Sequence, residues 1–178
     1  MERHGNETGI PVSKKSAPDV KYLKYLTKSD TDTIRLGHRL GTLLWAGDVI
    51  ALIGELGSGK TCFTKGLALG IGVGQDEIIT SPSFAIVNEY QGDHLFYHMD
   101  LYRLTDPSDF ATTGLEEYFN SEGVVVMEWA DRWPEILPEW RIEIRFEIMD
   151  VRERELTFYG IHPRAVYLIE SMKEVYKG

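Results

Sequence analysis

The sequence predicts an α/β fold in which helices flank a mixed central β-sheet. Two apolar runs, "VIALIG" (49–54) and "GVVVMEW" (123–129), do not alternate in polarity, which is typical of strands buried on both faces. Segments of helical periodicity lie between them. By contrast, "WRIEIRFEIMD" (140–150) alternates strictly through Ile142, Ile144, Phe146 and Ile148, which predicts a strand with one exposed face.

The elements of the first half follow in order. "KYLKYL" (21–26) predicts the first strand. Apolar residues then recur at helical spacing through 29–44, with Ser29 or Asp30 available as the N-cap. The buried strand 49–54 comes next, and a glycine-rich loop joins it to a second helix. The apolar stripe of that helix is Phe63, Leu67 and Ile71.

The second half adds a hairpin, short helices and a closing helix. We expect a strand, a turn around Gly92 and a second strand within "SPSFAIVNEYQGDHLFYHMDLYRL", and short helices within "DPSDFATTGLEEYFN". "RELTFYGI" is expected to pair with the alternating strand. Pro163 then begins a last helix, because proline is tolerated in the first helical turn.

Length and composition describe one globular domain, expected over residues 21–178. The 178 residues are 43% hydrophobic and 26% charged, which is ordinary for a soluble protein. No apolar run approaches the ~20 residues that cross a bilayer, so we expect no membrane association. Residues 1–20 are polar and lack the apolar centre of a signal peptide, so we expect a flexible leader on a cytoplasmic protein. The single cysteine agrees with a reducing compartment.

The charge balance is acidic, with 28 Asp and Glu against 19 Lys and Arg and a formal net charge of −9. Affinity for nucleic acids comes mostly from the neutralisation of phosphates by Lys and Arg. We therefore expect no autonomous binding to RNA or DNA. A protein partner or a small molecule is the better expectation.

The loop after the buried strand matches G-x-x-x-x-G-K-[ST] at every position. Its members are Gly54, Glu55, Leu56, Gly57, Ser58, Gly59, Lys60 and Thr61. In this motif the backbone amides and the next helix N-terminus meet phosphate oxygens, the lysine reaches the β- and γ-phosphates, and the hydroxyl lies at Mg²⁺. A chance match in a chain of this length has odds of roughly one percent or less. The motif therefore predicts a single P-loop NTPase domain.

Two acidic residues, Asp100 in "LFYHMD" and Glu128 in "VVVMEW", interrupt or end apolar strands. A P-loop needs a carboxylate for the shell of Mg²⁺ and a group that orients water before it can hydrolyse nucleotide. A carboxylate in a buried run is costly unless a cation or a donor meets it. The alternative is a solvent-exposed acid at a strand end, and the P-loop in the same chain favours the functional interpretation.

The segment "ITSPSFAIVNEY" (79–90) carries three hydroxyl residues, Thr80, Ser81 and Ser83, around a proline. A loop of this kind beside the phosphates would sense the γ-phosphate or position water, as the switch segments of NTPases do. Taken alone, the segment is more often an ordinary turn, and both interpretations stay open.

Tryptophans follow the second acid. Trp129 is adjacent to Glu128, so we expect it near the site. Trp133 is expected to fill the core or an interface, which is the usual position of a tryptophan.

The motif content favours ATP over GTP. The guanine-reading pattern [NT]-K-x-D occurs as "TKSD" (27–30), upstream of the P-loop. Circularly permuted GTPases have that order, but the sequence contains no D-x-x-G, and the interval to Gly54 is too short for the intervening elements. We interpret "TKSD" as a strand end followed by a helix cap.

Together these motifs resemble the TsaE family of bacterial P-loop ATPases, which are required for threonylcarbamoyladenosine modification of tRNAs that read codons beginning with A. The resemblance runs from about Ser29 to Gly160, in the family's order. The matching stretches are "GELGSGKTCFTKGLALGIG" (54–72), "TSPSFAIVNEY" (80–90), "YHMDLYRL" (97–104) and "VVVMEWADR" (124–132). The P-loop is generic, whereas its combination with S-P-[ST]-F, H-x-D-x-Y-R and E-W is specific. Residues 1–20 have no counterpart.

The resemblance implies roles for individual residues. Thr61 and Glu128 would coordinate Mg²⁺. The residues implied in hydrolysis are Asp100, Lys60, Thr80, Ser81 and Trp129. Nucleotide contacts would come from the P-loop and Cys62, with further contacts from Ser29, Asp30, Thr33, Asp131 and Arg152. The implied cofactors are ATP and Mg²⁺, and the implied partners are TsaD and TsaB, through which tRNA is reached only indirectly.

Two other functions stay open on the sequence. A small-molecule kinase would share the P-loop, but it needs an acceptor pocket and usually a lid with several arginines. The arginines of this chain are scattered. A nucleotide-dependent binding switch without significant turnover would share the whole site. ATP turnover measured in the presence of the partner proteins separates these functions.

Overall fold

A computed structural model describes residues 20–82 and 85–175, which form a seven-stranded mixed sheet with helices on both faces. The strands are β1 (Lys21–Thr27), β2 (Val49–Ile53), β3 (Val87–Gln91), β4 (Leu95–Asp100), β5 (Gly123–Glu128), β6 (Ile142–Ile148) and β7 (Arg154–Gly160). The helices are α1 (Asp30–Gly41), α2 (Lys60–Gly70), α3 (Pro107–Thr112) and α4 (Pro163–Val175). Single 3-10 turns or short 3-10 helices occupy Leu101–Arg103, Leu115–Asn120, Ala130–Arg132 and Pro134–Ile136.

The predicted α/β class is confirmed, and each predicted strand and helix is present. The expected leader, residues 1–20, lies outside the described residues except for Val20, and so do Ser83 and Phe84 of the expected switch loop. Within the described part of the chain, no helix combines the length and the apolar character needed to span a membrane.

The strand order is β1-β7-β6-β2-β5-β4-β3. Strand β2 is parallel to both β5 and β6, and β5 is parallel to β4, whereas β1, β3 and β7 join by antiparallel pairing. Parallel strands end at the same edge of a sheet, where ligands of open α/β sheets bind. The ends of β2, β5 and β4 therefore bring the P-loop, Glu128 and Asp100 to one edge.

Strand β2 is apolar throughout because both faces of the sheet are covered. Ile50 and Leu52 pack into a core with α1, α2 and α4. Val49 and Ala51 point to the opposite face, into a second core that contains Leu101, Phe110 and Leu115. This double burial explains the run without alternation in the sequence.

Helices α1 and α2 touch through their backbones. A Cβ atom on Gly66 would lie 2.1 Å from the carbonyl oxygen of Ile34, and one on Gly37 would lie 2.3 Å from that of Phe63. Real Cβ atoms do not approach other atoms so closely, so both helices need glycine at the crossing. The crossing fixes α2, and with it the P-loop, against α1.

The alternating strand departs from its prediction at one end. Ile142, Ile144 and Phe146 are buried, but Ile148 is 47% exposed. Strand β2 accompanies β6 only from Ile142 to Arg145. The end of β6 therefore extends past the part of the sheet that the core covers.

Candidate functional site

A cavity of about 760 Å³ opens at the edge of the sheet where β2, β4 and β5 end. Most of its wall consists of residues that the sequence points to. These are Asp30, Leu56, Gly57, Gly59, Lys60, Thr61, Cys62, Ser81, Asp100, Glu128 and Trp129. The loops that follow three neighbouring strands therefore meet around one space.

The P-loop owes its path to glycines. Gly57 and Gly59 have φ angles of +76° and +101°, which side chains disfavour. Gly59 is the N-cap of α2 and supplies no side chain to the first amides of the helix. Those amides are free to bind an anion, which the positive end of the helix favours. Gly54 begins the loop, and a Cβ atom there would approach the Ser58 hydroxyl oxygen to 2.7 Å.

Lys60 is held by its own loop. Its Nζ donates to the carbonyl oxygens of Gly54 at 2.7 Å and Glu55 at 2.9 Å. The same Nζ lies 4.0 Å from the centroid of the Trp129 ring. Burial lowers the pKa of Lys60, and the charges of Glu128, Asp100 and Asp131 act in the opposite direction. The ammonium group is therefore preorganised within the loop.

Glu128 is buried at the end of β5, with 3% of its surface exposed. Thr61 donates its hydroxyl to Oε2 at 3.2 Å. His98 Nε2 lies 2.9 Å from Oε1, and the Thr64 hydroxyl lies 3.5 Å from the same oxygen. A hydroxyl and a carboxylate oxygen at the cavity wall are hard ligands that suit Mg²⁺.

The donor set fits a cation that is bound partly by its substrate. Among residues 20–82 and 85–175, no group of three or more His, Cys, Asp or Glu is placed to hold a metal. Mg²⁺ is commonly bound by one or two protein groups together with phosphates and waters. Thr61 and Glu128 would hold it in this way.

Asp100 lies beside Glu128, because the two residues are register partners at the ends of β4 and β5. Its Oδ1 accepts the backbone N–H of Tyr102 at 2.9 Å, and its Oδ2 accepts the Ser81 hydroxyl. Both carboxylate oxygens are therefore oriented. Ser81 connects the expected switch loop directly to this acid.

Trp129 has a left-handed backbone, with φ 60° and ψ 35°. It is the single non-glycine residue with positive φ in the described ranges 20–82 and 85–175. Such a conformation is uncommon for a bulky residue, and strain of this kind clusters at functional sites. This backbone conformation directs the Trp129 ring toward Lys60 and toward Tyr102. The centroids of the Trp129 and Tyr102 rings lie 5.0 Å apart.

The other residues proposed from the sequence are not part of the cavity wall. Ser29 caps α1 by accepting from the amide of Asp32, and Thr33 is buried with its hydroxyl 2.9 Å from that of Thr27. Glu55 and Ser58 shape the loop around Lys60. Thr80, Asp131 and Arg152 are exposed residues outside the wall. Trp133 packs, half-buried, against the core of one sheet face.

Several residues of the site were not assigned from the sequence. Tyr102, Arg103, Val151 and Arg154 line the cavity, and Arg154 donates to the Gly57 carbonyl at 3.2 Å. The arginines of this wall are therefore Arg103 and Arg154, whereas Arg152 lies outside it. His98 is the first residue of the H-x-D-x-Y-R pattern, and it shares a strand face with Asp100 two residues later.

The chain matches a family model described as "Threonylcarbamoyl adenosine biosynthesis protein TsaE" over residues 27–156. It is similar to the tRNA threonylcarbamoyladenosine biosynthesis protein TsaE of Treponema pallidum, with 42% identity over 76% of this chain and 98% of that protein. The protein of the same name from Bacillus subtilis is 40% identical over 86% of this chain and 95% of its own length.

A solved structure agrees with these sequence matches. The crystal structure of Bacillus subtilis YdiB superposes with a TM-score of 0.73 and 38% sequence identity. The match covers 87% of this chain and 96% of the YdiB chain. The family match over residues 27–156 includes every residue that lines the cavity.

Proposed function

Because the chain belongs to the TsaE family of threonylcarbamoyl adenosine biosynthesis proteins, we propose that it is a Mg²⁺-dependent ATPase of tRNA threonylcarbamoyladenosine modification. The observation that carries the proposal is the convergence on one cavity of Lys60, the Thr61–Glu128 pair and Asp100. These are a phosphate-binding cation, two oxygen ligands for Mg²⁺ and an oriented carboxylate. ATP hydrolysis to ADP and phosphate uses all of them.

The P-loop and α2 would bind the phosphates of the nucleotide. The backbone N–H groups of the loop and of the N-terminus of α2 would donate to the phosphate oxygens. Lys60 would exchange the carbonyls of Gly54 and Glu55 for β- and γ-phosphate oxygens. Mg²⁺, held by Thr61 and Glu128, would neutralise phosphate charge. The exposed side chains of Leu56 and Val151 at the cavity wall offer apolar contacts for the nucleotide.

Hydrolysis is assigned to Asp100. Its two oxygens are fixed by the Tyr102 amide and the Ser81 hydroxyl, so the carboxylate has a defined direction toward the cavity. A carboxylate in this position would orient the attacking water or accept its proton. Because Ser81 belongs to the expected switch loop, the loop and the acid would respond together to the γ-phosphate.

The partners in this proposal are TsaB and TsaD, which would carry out the threonylcarbamoyl transfer. The net charge of −9 argues against tight tRNA binding by this chain alone and favours protein contacts. The protein would then work in the cytoplasm and reach tRNA through the complex. Its ATP state would control attachment to the transferase.

ATP turnover with and without purified TsaB–TsaD tests the proposal. We expect slow phosphate release from the lone protein and faster release with both partners. Lys60→Ala is the control, because it removes the phosphate-binding cation without altering the partners. Absence of turnover with the full set would favour a nucleotide-dependent binding switch, and transfer of phosphate to a small acceptor would favour a kinase.

A pull-down with TsaB–TsaD tests the proposed control by nucleotide. An ATP analogue, ADP and buffer without nucleotide should give different amounts of bound protein. Equal association under the three nucleotide conditions would overturn the proposal that the ATP state controls attachment to the transferase. A gel shift with tRNA and this protein alone should show only weak binding, near the ~10⁻⁴ M end of non-specific affinities.

A further inference from the structure

The two oxygens of Glu128 face different surroundings. Oε2 lies toward the cavity, where the Thr61 hydroxyl is 3.2 Å away. Oε1 lies toward the interior, where His98 Nε2 is 2.9 Å away and the Thr64 hydroxyl is 3.5 Å away. His98 is fully buried on β4, the strand that pairs with β5. One oxygen is thus anchored in the core while the other is presented to the cavity.

We propose that His98 is a positioning residue for the magnesium site, which holds Glu128 Oε1 so that Oε2 faces the cation. The inference rests on the proposed function, because it assigns a role toward the proposed Mg²⁺. His98 itself would not touch the metal or the nucleotide. It would act only through the direction of the carboxylate.

The direction of the hydrogen bond follows from the chemistry of the pair. An ionised carboxylate only accepts, so Nε2 must carry the proton and donate to Oε1. A buried carboxylate without such donors would be costly. Histidines and carboxylates that orient metal ligands are linked to them in this way, and their removal typically weakens metal affinity about 10–100-fold.

The opposite edge of the imidazole carries no comparable contact. Nδ1 of His98 is buried and has no hydrogen-bond partner in the part of the chain that the structure describes. A buried histidine with only a structural role would be expected to have a hydrogen-bond partner at each ring nitrogen. The contact at Nε2 is therefore the one that matters at this position. A side chain that supplies a donor only at the position of Nε2 should be able to replace His98.

Glutamine and asparagine provide the matched pair of variants. The amide nitrogen of Gln can reach the region of Nε2, whereas the Asn amide ends nearer to the position of Nδ1. His98→Gln should therefore keep the bond to Glu128, and His98→Asn should lose it. Both substitutions place an amide in the same buried site, so they share the cost of burying a polar group.

The first measurement is the Mg²⁺ concentration that gives half-maximal binding of a non-hydrolysable ATP analogue, read by calorimetry. We expect His98→Gln to stay within about threefold of the unmodified protein and His98→Asn to need at least about tenfold more Mg²⁺. Binding of the analogue in EDTA should be equal for all three proteins. Equal Mg²⁺ requirements for the two variants would overturn the inference.

The same data separate the inference from the proposed function. If the unmodified protein binds the analogue equally with Mg²⁺ and with EDTA, the proposed metal site fails. If it depends on Mg²⁺ and His98→Asn depends on it equally, only the role of His98 fails. Thermal unfolding of each variant checks that a folded protein is compared.

A spectroscopic measurement on the unmodified protein gives a second readout of the His98–Glu128 contact. In ¹⁵N-histidine spectra of the unmodified protein, His98 should carry its proton on Nε2 and show a scalar or chemical-shift signature of that hydrogen bond. A bare Nε2 with the proton on Nδ1 would overturn the inference. His98→Gln would identify the signal by its disappearance.

Discussion

The ammonium group of Lys60 lies against the face of the Trp129 ring, 4.0 Å from its centroid, while it donates to two carbonyls of its own loop. A lysine so placed has lost most of its side-chain freedom before any phosphate arrives. Preorganisation of this kind lowers the entropy lost on binding. The ammonium group has three N–H donors, so contacts to two phosphate oxygens would replace at least one of the carbonyl contacts.

Lys60→Ala should therefore remove useful ATP affinity. Hydrogen bonds to charged groups contribute about 1.5–3 kcal/mol each, so the loss of two such bonds, one to the β- and one to the γ-phosphate, should weaken binding at least about 100-fold. Calorimetry in excess Mg²⁺ measures it. Lys65→Ala, on an exposed position of the same helix, is the matched control and should bind as the unmodified protein does. Unchanged affinity in Lys60→Ala would show that the site is assigned wrongly.

Glu128→Gln should raise the Mg²⁺ concentration needed for nucleotide binding. The substitution keeps the shape of the side chain but removes the negative charge beside the Thr61 hydroxyl. Binding titrated at several Mg²⁺ concentrations reports the change, with exposed Glu135→Gln as the control. A Glu128→Gln protein with an unaltered Mg²⁺ requirement would exclude this carboxylate from the metal site.

Asp100→Asn should separate binding from turnover. The amide oxygen of Asn can still accept the hydrogen bond from the Tyr102 N–H, so the end of β4 should keep its conformation. Loss of the base or water-orienting group should lower turnover about 10²–10⁴-fold with ATP affinity kept. Single-turnover phosphate release and calorimetry give the two quantities. Hydrolysis at the normal rate would end the assignment.

Gly66→Ala should destabilise the fold although alanine is the better helix former. The new methyl group would lie 2.1 Å from the carbonyl oxygen of Ile34, so α1 and α2 must separate. Overpacking typically costs about 1–3 kcal/mol, occasionally more. Urea unfolding measures the loss, and Gly74→Ala is the control, since a Cβ atom there meets nothing within 4 Å. Equal stability of the two variants would contradict the backbone contact.

Cys62 should act as a slow but specific reporter of the cavity. Burial raises the pKa of its thiol above the usual value, with Asp30 adding to the shift. The thiolate is the reactive form, so alkylation at pH 8 should be slower than for a small free thiol and should accelerate as the pH rises. Bound Mg²⁺ and ATP should slow it further, because Cys62 lines the cavity. As the only cysteine, it gives one readout by mass spectrometry.

The parts of the site that depend on local sequence were predictable. The P-loop is contiguous, and the strand that precedes it and the helix that follows it are both visible as periodicity. Asp100 and Glu128 could be proposed because each interrupts or ends an apolar run. Their side-by-side register then followed from the parallel pairing of β4 and β5.

The parts that depend on distant contacts were not predictable from one sequence. Arg154 meets the carbonyl of Gly57 across 97 positions, and nothing local distinguishes it from Arg152. The left-handed backbone of Trp129 has no sequence signal, because tryptophan rarely adopts it. The glycines of α1 and α2 are visible in the sequence. That they face each other at one helix crossing depends on how the sheet positions the two helices.

The pairing of β1 with β7 has a consequence for how the protein is made. Leu23 lies opposite Phe158, and β1 has no other strand neighbour among the described residues. The Tyr25 hydroxyl also donates to the carbonyl of Met172 in α4. Contacts between such remote positions close slowly, because the entropy of a long loop must be lost first. A ribosome-bound chain therefore holds its first strand without a partner until nearly the whole domain has been synthesised, and a stalled or shortened product would leave that strand edge open to aggregation.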